Sequence, residues 1–159
     1  MSITFTVQRA AAGDVPDVSV MVGELLTEIM GSIGEQVFHF DVAETSLRLG
    51  DFIHREKYVV FVARSGEGMP AGFIALSESC ALYAEGVFGT IQELYVRPCF
   101  RNCGLGFLLV SEAKSFGVSR GWTRLEVTTP PLPQFQRTLG FYEREGFAVT
   151  GGRKLKLLL

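Results

Sequence analysis

Leu94-Tyr95-Val96-Arg97-Pro98-Cys99-Phe100-Arg101-Asn102-Cys103-Gly104-Leu105-Gly106-Phe107-Leu108-Leu109 carries an apolar strand through a basic, glycine-punctuated turn into an amphipathic helix. Glycine lets a backbone bend sharply and approach a ligand with no Cβ in the way. The first N–H groups of the helix have no intrahelical acceptor, and the helix dipole adds positive potential there. Such a turn suits a phosphate or pyrophosphate. The residues just after the glycines separate the phosphate-binding classes. A nucleoside-triphosphate loop needs Gly-Lys and then Ser or Thr, and a dinucleotide fingerprint needs a third glycine after Gly106. Phe107, Leu108 and Leu109 supply neither.

Arg101 to Gly106 reads Arg-x-x-Gly-x-Gly directly after a strand ending Leu-Tyr-Val. Downstream, Gly140-Phe141-Tyr142-Glu143-Arg144-Glu145-Gly146-Phe147 contains Phe-Tyr-x-x-x-Gly-Phe. Together these resemble the coenzyme A loop and the late aromatic signature of the GNAT superfamily of N-acetyltransferases. The resemblance covers nearly the whole chain, with its sharpest motifs between Gln92 and Phe147.

The order of elements agrees with it. Ile3 to Arg9 alternates as a half-buried strand, and Asp14 is an N-cap candidate with Asp17 three residues later. Val18, Met21, Val22, Leu25, Leu26 and Ile29 then recur at helical spacing up to Gly31 and Gly34. Asp41 to Ile53 is a second helix, Tyr58 to Ala63 and Ala71 to Ser77 form a hairpin, and Phe88 to Val96 is the next strand. A helix from Leu105 stopped by Gly121, a strand from Thr123 to Thr128, a proline connector, a helix from Phe135 to Glu145 and a final strand region from Phe147 to Leu159 complete the chain. The expected fold class is α/β: one GNAT-like domain over residues 1–159, a mixed, mostly antiparallel sheet with helices on both faces and a splayed strand pair for coenzyme A.

The resemblance implies acetyl-coenzyme A as co-substrate and no metal. Backbone groups of Leu94, Tyr95 and Val96 are expected on the pantetheine amides, with the Leu94 N–H polarising the thioester carbonyl. Backbone N–H groups of Arg101, Asn102, Cys103, Gly104, Leu105, Gly106 and Phe107 are expected on the pyrophosphate, with the Arg101 charge beside them. Tyr142 holds the family tyrosine position and is the general-acid candidate: a phenol with a pKa near 10 can protonate a leaving thiolate at neutral pH. Its alternative role is to pack the last helix with Phe141 and Phe147. The commoner family pattern has an asparagine seven residues before the tyrosine, where this chain has Phe135.

An alkylamine arrives as ammonium, so a base is needed. Glu93 and Glu126 are both candidates: strand alternation puts Glu93 on a face with Ile91 and Tyr95, and Glu126 lies opposite Leu125 and Val127. Each is alternatively a solvated or ion-paired carboxylate. The resemblance implies that the segment holding Glu78, Glu85 and Glu93, interleaved with Tyr83, Phe88 and Tyr95, forms the acceptor side of the cleft, which favours a cationic, partly apolar amine.

Composition sets bounds. The 159 residues are 47% hydrophobic and 20% charged, enough for one core, and a net charge of −2 supplies no basic field for nucleic acid. No run is long enough to span a bilayer, and Met1 to Arg9 does not read as a secretory signal, so the expectation is a cytoplasmic protein without membrane or nucleic-acid partners. Cys80, Cys99 and Cys103 lack zinc-ligand companions and are read as reduced thiols; His39 and His54 are read as structural. The apolar tail Leu155, Leu157, Leu158 and Leu159 either pairs in a homodimer or completes the sheet. The function expected is transfer of acetyl from acetyl-coenzyme A to a primary amine, of a small molecule or a protein, by direct attack. The alternative is a coenzyme A-binding sensor or interaction module, motivated by Phe135.

Overall fold

The computed structural model describes residues 3–159, in two compact units that meet in sequence at Thr128 and Thr129. In the first, strand β1 (Phe5–Arg9) precedes helices α1 (Val15–Ile33) and α2 (Val42–His54). Strands β2 (Val59–Ser65), β3 (Pro70–Ala81) and β4 (Gly86–Val96), helix α3 (Leu105–Arg120) and strand β5 (Leu125–Val127) come next. The sheet order is β1-β2-β3-β4-β5, antiparallel except for the parallel β4–β5 pair. This is the expected mixed sheet.

Alternation along the strands sorts side chains into two layers. Val60, Val62, Phe73, Ala75 and Tyr95 join Val15, Val18 and Met21 of α1 and Leu49 of α2 in one buried cluster. Phe61, Ile74 and Leu76 occupy the opposite face, where Phe61 meets Phe116 of α3 edge-on at 5.8 Å and Leu105, Leu109, Val110 and Ala113 of α3 are buried. Burial on both faces explains the nearly continuous apolar runs of β2 and β3.

Local chemistry fixes the helix ends. Asp14 occupies the N-cap of α1, but its carboxylate accepts from the Ala11 N–H at 2.8 Å and from Arg64 rather than from a helix N–H. Those bonds hold its pKa below the usual range. Asp41 caps α2 through the Glu44 N–H at 2.9 Å. The first helix runs through Gly31, and only Gly34, at φ 72°, ends it. A glycine stops a helix where left-handed backbone is required, and Gly31 is not such a place.

Gly72 is a point of close approach. A Cβ there would lie 2.5 Å from the Tyr95 carbonyl oxygen and 3.3 Å from the Val96 Cα, so Gly72→Ala forces β3 and β4 apart. The expected cost is about 1–3 kcal/mol. Gly50→Ala in α2, with nothing within 4 Å of its Cβ, should instead gain up to about 1 kcal/mol from helix propensity. Thermal unfolding of the two variants should move in opposite directions.

The second unit contains helix α4 (Gln136–Arg144). The final strand expected over Phe147 to Leu159 is corrected: none of it is a strand, and Leu155, Leu157, Leu158 and Leu159 are exposed. Alternating leucine and lysine suits a half-buried strand, but a strand exists only where an edge hydrogen-bonds it, and that edge is not written in the segment itself.

Candidate active site

The site begins at an irregularity in β4. Ile91 pairs with Leu76 and Glu93 with Ala75, which leaves Gln92 as an extra residue in a β-bulge. The bulge resets the alternation, so the expected sharing of one face by Ile91, Glu93 and Tyr95 is corrected. Glu93 and Tyr95 lie opposite Ala75 and Phe73, on the α1/α2 side, while Ile91 lies opposite Leu76 on the α3 side. Extra twist at a bulge also steers strands apart. The register of β5 against β4 ends at Ile91 and Val127, while β4 runs on to Val96. Among the described residues, Glu93 to Val96 therefore have β3 as their one strand partner, and the other edge is open. Leu94, Tyr95 and Val96 sit on this edge.

Tyr95 contributes its backbone to that edge while its ring is only 5% exposed. Its hydroxyl donates to Glu24 at 3.2 Å, and burial followed by the Glu24 charge pushes its pKa up to about 12. Beyond Val96 the chain makes one turn of 3-10 helix over Pro98–Phe100 and enters the glycine loop. Asn102 and Gly104 are left-handed, at φ 60° and 79°. Gly106 is inside the first turn of α3, so one of the two motif glycines, not both, makes the bend. A left-handed residue next to a helix start turns successive N–H groups toward one point, a concavity that fits an anion. An open strand edge leads directly to a concave turn of backbone N–H groups, an arrangement that fits the amides and phosphates of acetyl-coenzyme A.

Arg101 departs from the expectation of a cation waiting for phosphate. Its guanidinium makes a two-pronged pair with Glu28, both contacts 2.8 Å, and its Nε donates to the Val96 carbonyl at 2.8 Å. Arg97 makes the same kind of fork with Glu24, at 3.0 and 2.9 Å. Glu24 and Glu28 are one turn apart on α1, so two forks clip the loop to that helix. Sequence reading missed this pairing. Its only trace in the chain is two acids four apart and two arginines four apart.

The two candidate bases separate sharply. Glu93 is half-buried and accepts the Tyr58 hydroxyl at 3.3 Å on Oε1, while its Oε2 is enclosed with no partner among the described residues. Burial raises its pKa from 4.5 to about 7, and the Tyr58 bond pulls it partly back. Glu126 pairs with Thr90 in register, and its side chain is 42% exposed and lies 3.7 Å from Arg124. With its pKa near neutrality, Glu93 can exchange a proton at neutral pH. The expected acidic cluster is not one. Glu78 accepts from Trp122 Nε1 at 2.6 Å and Arg120 at 3.3 Å on the α3 side, Glu85 sits in the β3–β4 turn at φ 58°, and Glu93 faces the other way. Nearness in one sequence segment does not bring the three together in the fold. Tyr83 and Phe88 face Arg124, 5.5 and 5.8 Å from its guanidinium carbon.

In the second unit, the Tyr-x-x-x-Gly-Phe signature is a helix stop. The Phe147 N–H donates to the Tyr142 carbonyl at 3.0 Å and the Gly146 N–H to the Glu143 carbonyl at 3.1 Å, around Gly146 at φ 97°. This is the paired pattern that a left-handed glycine permits, with Phe147 packing on Tyr142 at 5.4 Å. Tyr142 also meets Phe141 edge-on at 5.2 Å, and burial raises its pKa, so the phenol stays protonated. Phe135 is the N-cap of α4.

An open-edged strand running into a glycine turn beside a half-buried carboxylate fits an acyltransferase. The chain belongs to the GNAT acetyltransferase family, whose Acetyltransferase (GNAT) domain model matches residues 56–149, and it is an acyltransferase enzyme. It is 29% identical over 131 residues to the peptidyl-lysine N-acetyltransferase YjaB of Escherichia coli (strain K12), covering 81% of this chain and 78% of that protein. The fold is shared with a possible acetyltransferase from Clostridium difficile 630, at TM-score 0.81 and 13% identity over 98% of this chain and 97% of the other. It is also shared with the aminoglycoside acetyltransferase meta-AAC0020 from an uncultured soil metagenomic sample, solved with sisomicin, at TM-score 0.77 and 18% identity over 98% and 96%. No helix among the described residues is long and apolar enough to cross a membrane.

Proposed function

We propose that the chain is one N-acetyltransferase domain over residues 1–159 whose acceptor is a lysine side-chain amine of a peptide or protein, with acetyl-coenzyme A as donor. The observation that carries the chemistry is the half-buried Glu93 carboxylate, its Oε2 enclosed, beside the open edge of β4. The resemblance to a peptidyl-lysine acetyltransferase supports the acceptor class. The family match over 56–149, which spans both compact units, supports one domain.

Bound acetyl-coenzyme A supplies a thioester, an acetyl group on a good leaving thiol. Backbone groups of Leu94 to Val96 hold the pantetheine arm, and backbone N–H groups from Arg101 through Phe107 hold the pyrophosphate. Glu93 takes one proton from the acceptor ammonium and passes it to solvent, freeing the nitrogen lone pair. The nitrogen–carbonyl bond forms as the carbon–sulfur bond breaks. The nitrogen's second proton is lost as the amide forms, and Tyr142 donates one to the thiolate, so the sum releases one proton per turnover. Holding the amine against the thioester provides much of the rate. Glu126, exposed and paired with Arg124, is the lesser base.

Incubating the protein with acetyl-coenzyme A and a peptide with one lysine should release coenzyme A thiol and acetylate that lysine, read by thiol assay and mass spectrometry. Tyr142→Phe should lower kcat by roughly tenfold or more with acetyl-coenzyme A affinity retained. Unchanged turnover in that variant removes Tyr142 from the chemistry. Tight acetyl-coenzyme A binding with no thiol release on peptides, polyamines or aminoglycosides would favour a binding module instead.

A further inference from the structure

Tyr58 stands just before β2, outside every motif, and its hydroxyl is the polar partner of Glu93 among the described residues, at 3.3 Å to Oε1. Its ring packs on Phe52 of α2 at 5.2 Å, which fixes where the hydroxyl points. Charged side chains on nearby elements pair with other groups. Ala75 of β3 lies opposite, Arg124 and Glu126 of β5 pair with each other, Asp51 and Arg55 of α2 pair with each other, and Glu24 of α1 holds Tyr95 and Arg97. We propose that Tyr58 is the positioning residue of Glu93: by holding Oε1 it fixes the orientation of the carboxylate that takes up the proton of the acceptor ammonium. The inference rests on Glu93 being the base.

The physical argument is that a carboxylate with one oxygen bonded has one orientation and one free basic site, whereas an unheld carboxylate in an apolar pocket rotates and presents either oxygen. A hydroxyl donating to the ionised form also favours that form, keeping Glu93 available as a base near neutrality. Tyr58 itself does not exchange the proton: burial and the neighbouring Glu93 charge raise its pKa, so it remains a donor throughout.

The test is the pH profile of kcat for a lysine-containing peptide at saturating acetyl-coenzyme A, for wild type, Tyr58→Phe, Glu93→Gln and the double variant. Loss of the acid limb in Glu93→Gln upholds the base; a limb that survives refutes the base whatever Tyr58 does. With the base upheld, Tyr58→Phe should move the limb upward by roughly half to one pH unit, the worth of one hydrogen bond. The double variant should be no slower than Glu93→Gln alone. An unmoved limb, or a double variant slower than Glu93→Gln, overturns the positioning role. Carboxyl ¹³C NMR titration of the free protein, with Glu93 assigned by Glu93→Gln, reads the same upward shift without any acceptor, and no shift there also overturns it. Retention of the ring keeps the Phe52 contact, and circular dichroism checks the fold.

Discussion

Glu93→Gln lowers kcat by roughly 10²- to 10⁴-fold at pH 8, the usual worth of a general base, while acetyl-coenzyme A affinity is retained. At pH 8 the wild-type carboxylate is mostly ionised, because its pKa is about 7, and it can take the ammonium proton. An amide of the same shape cannot. As pH falls through 7 the wild type loses activity by protonation of Glu93, so the ratio between wild type and variant narrows and the variant shows no limb there. The same burial links activity to stability. Glu93 binds its proton more tightly in the folded protein than in the unfolded chain, where the pKa is near 4.5. Stability is therefore fully present below about pH 4.5, falls as pH rises toward 7, and stays lowered above it. At about 1.36 kcal/mol per pKa unit, the loss is on the order of 3 kcal/mol. Unfolding free energies at pH 5 and pH 8 should differ by this carboxylate's share in wild type and lack it in Glu93→Gln. A variant fully active at pH 8 sinks the base role. Equal pH slopes in both proteins would show instead that Glu93 is not buried as an unpaired acid in solution.

What could be read from the sequence divides by how far each cause reaches along the chain. The glycine turn and the Tyr142 to Phe147 signature are legible because the conformation that needs the glycine is decided within about six residues. The Gly146 hydrogen bonds even explain why tyrosine and phenylalanine sit where they do, apart from any chemistry. The α1 and α2 helices are legible from apolar spacing. The bulge at Gln92 is not, because its residues carry no glycine or other mark, and it appears only when β3 supplies the register. The alternation that puts Ile91, Glu93 and Tyr95 on one face is displaced with it. Tyr58 and Glu93 are 35 residues apart and meet only across the sheet. The forks from Glu24 and Glu28 to Arg97 and Arg101 are likewise long-range, and they turn an arginine that resembles a phosphate ligand into a clamp on α1.

That clamp places the weight of phosphate binding on the loop's backbone, and Gly104→Val tests it. Gly104 is at φ 79° with nothing within 4 Å of a Cβ, so the added Cβ meets no obstacle and the substitution acts chiefly through conformation. A β-branched residue in left-handed backbone costs roughly 1–3 kcal/mol, and the loop relieves it by rotating peptides out of the cradle. Each hydrogen bond to a charged oxygen is worth about 1.5–3 kcal/mol, so losing one or two should weaken acetyl-coenzyme A binding by on the order of 100-fold in calorimetry. Gly121→Val is the matched control: it sits at φ 74° at the other end of the same helix, with equally open space. It should lower stability by a similar amount and leave affinity unchanged. Asn102, at φ 60°, supplies the converse: Asn102→Gly relaxes the same turn and should preserve binding. If Gly104→Val and Gly121→Val weaken acetyl-coenzyme A equally, the glycine serves only to turn strand into helix, and the cradle must be sought in side chains. If only Gly104→Val does, the backbone N–H groups at the start of α3 hold the pyrophosphate, and Arg101 acts by keeping them in place.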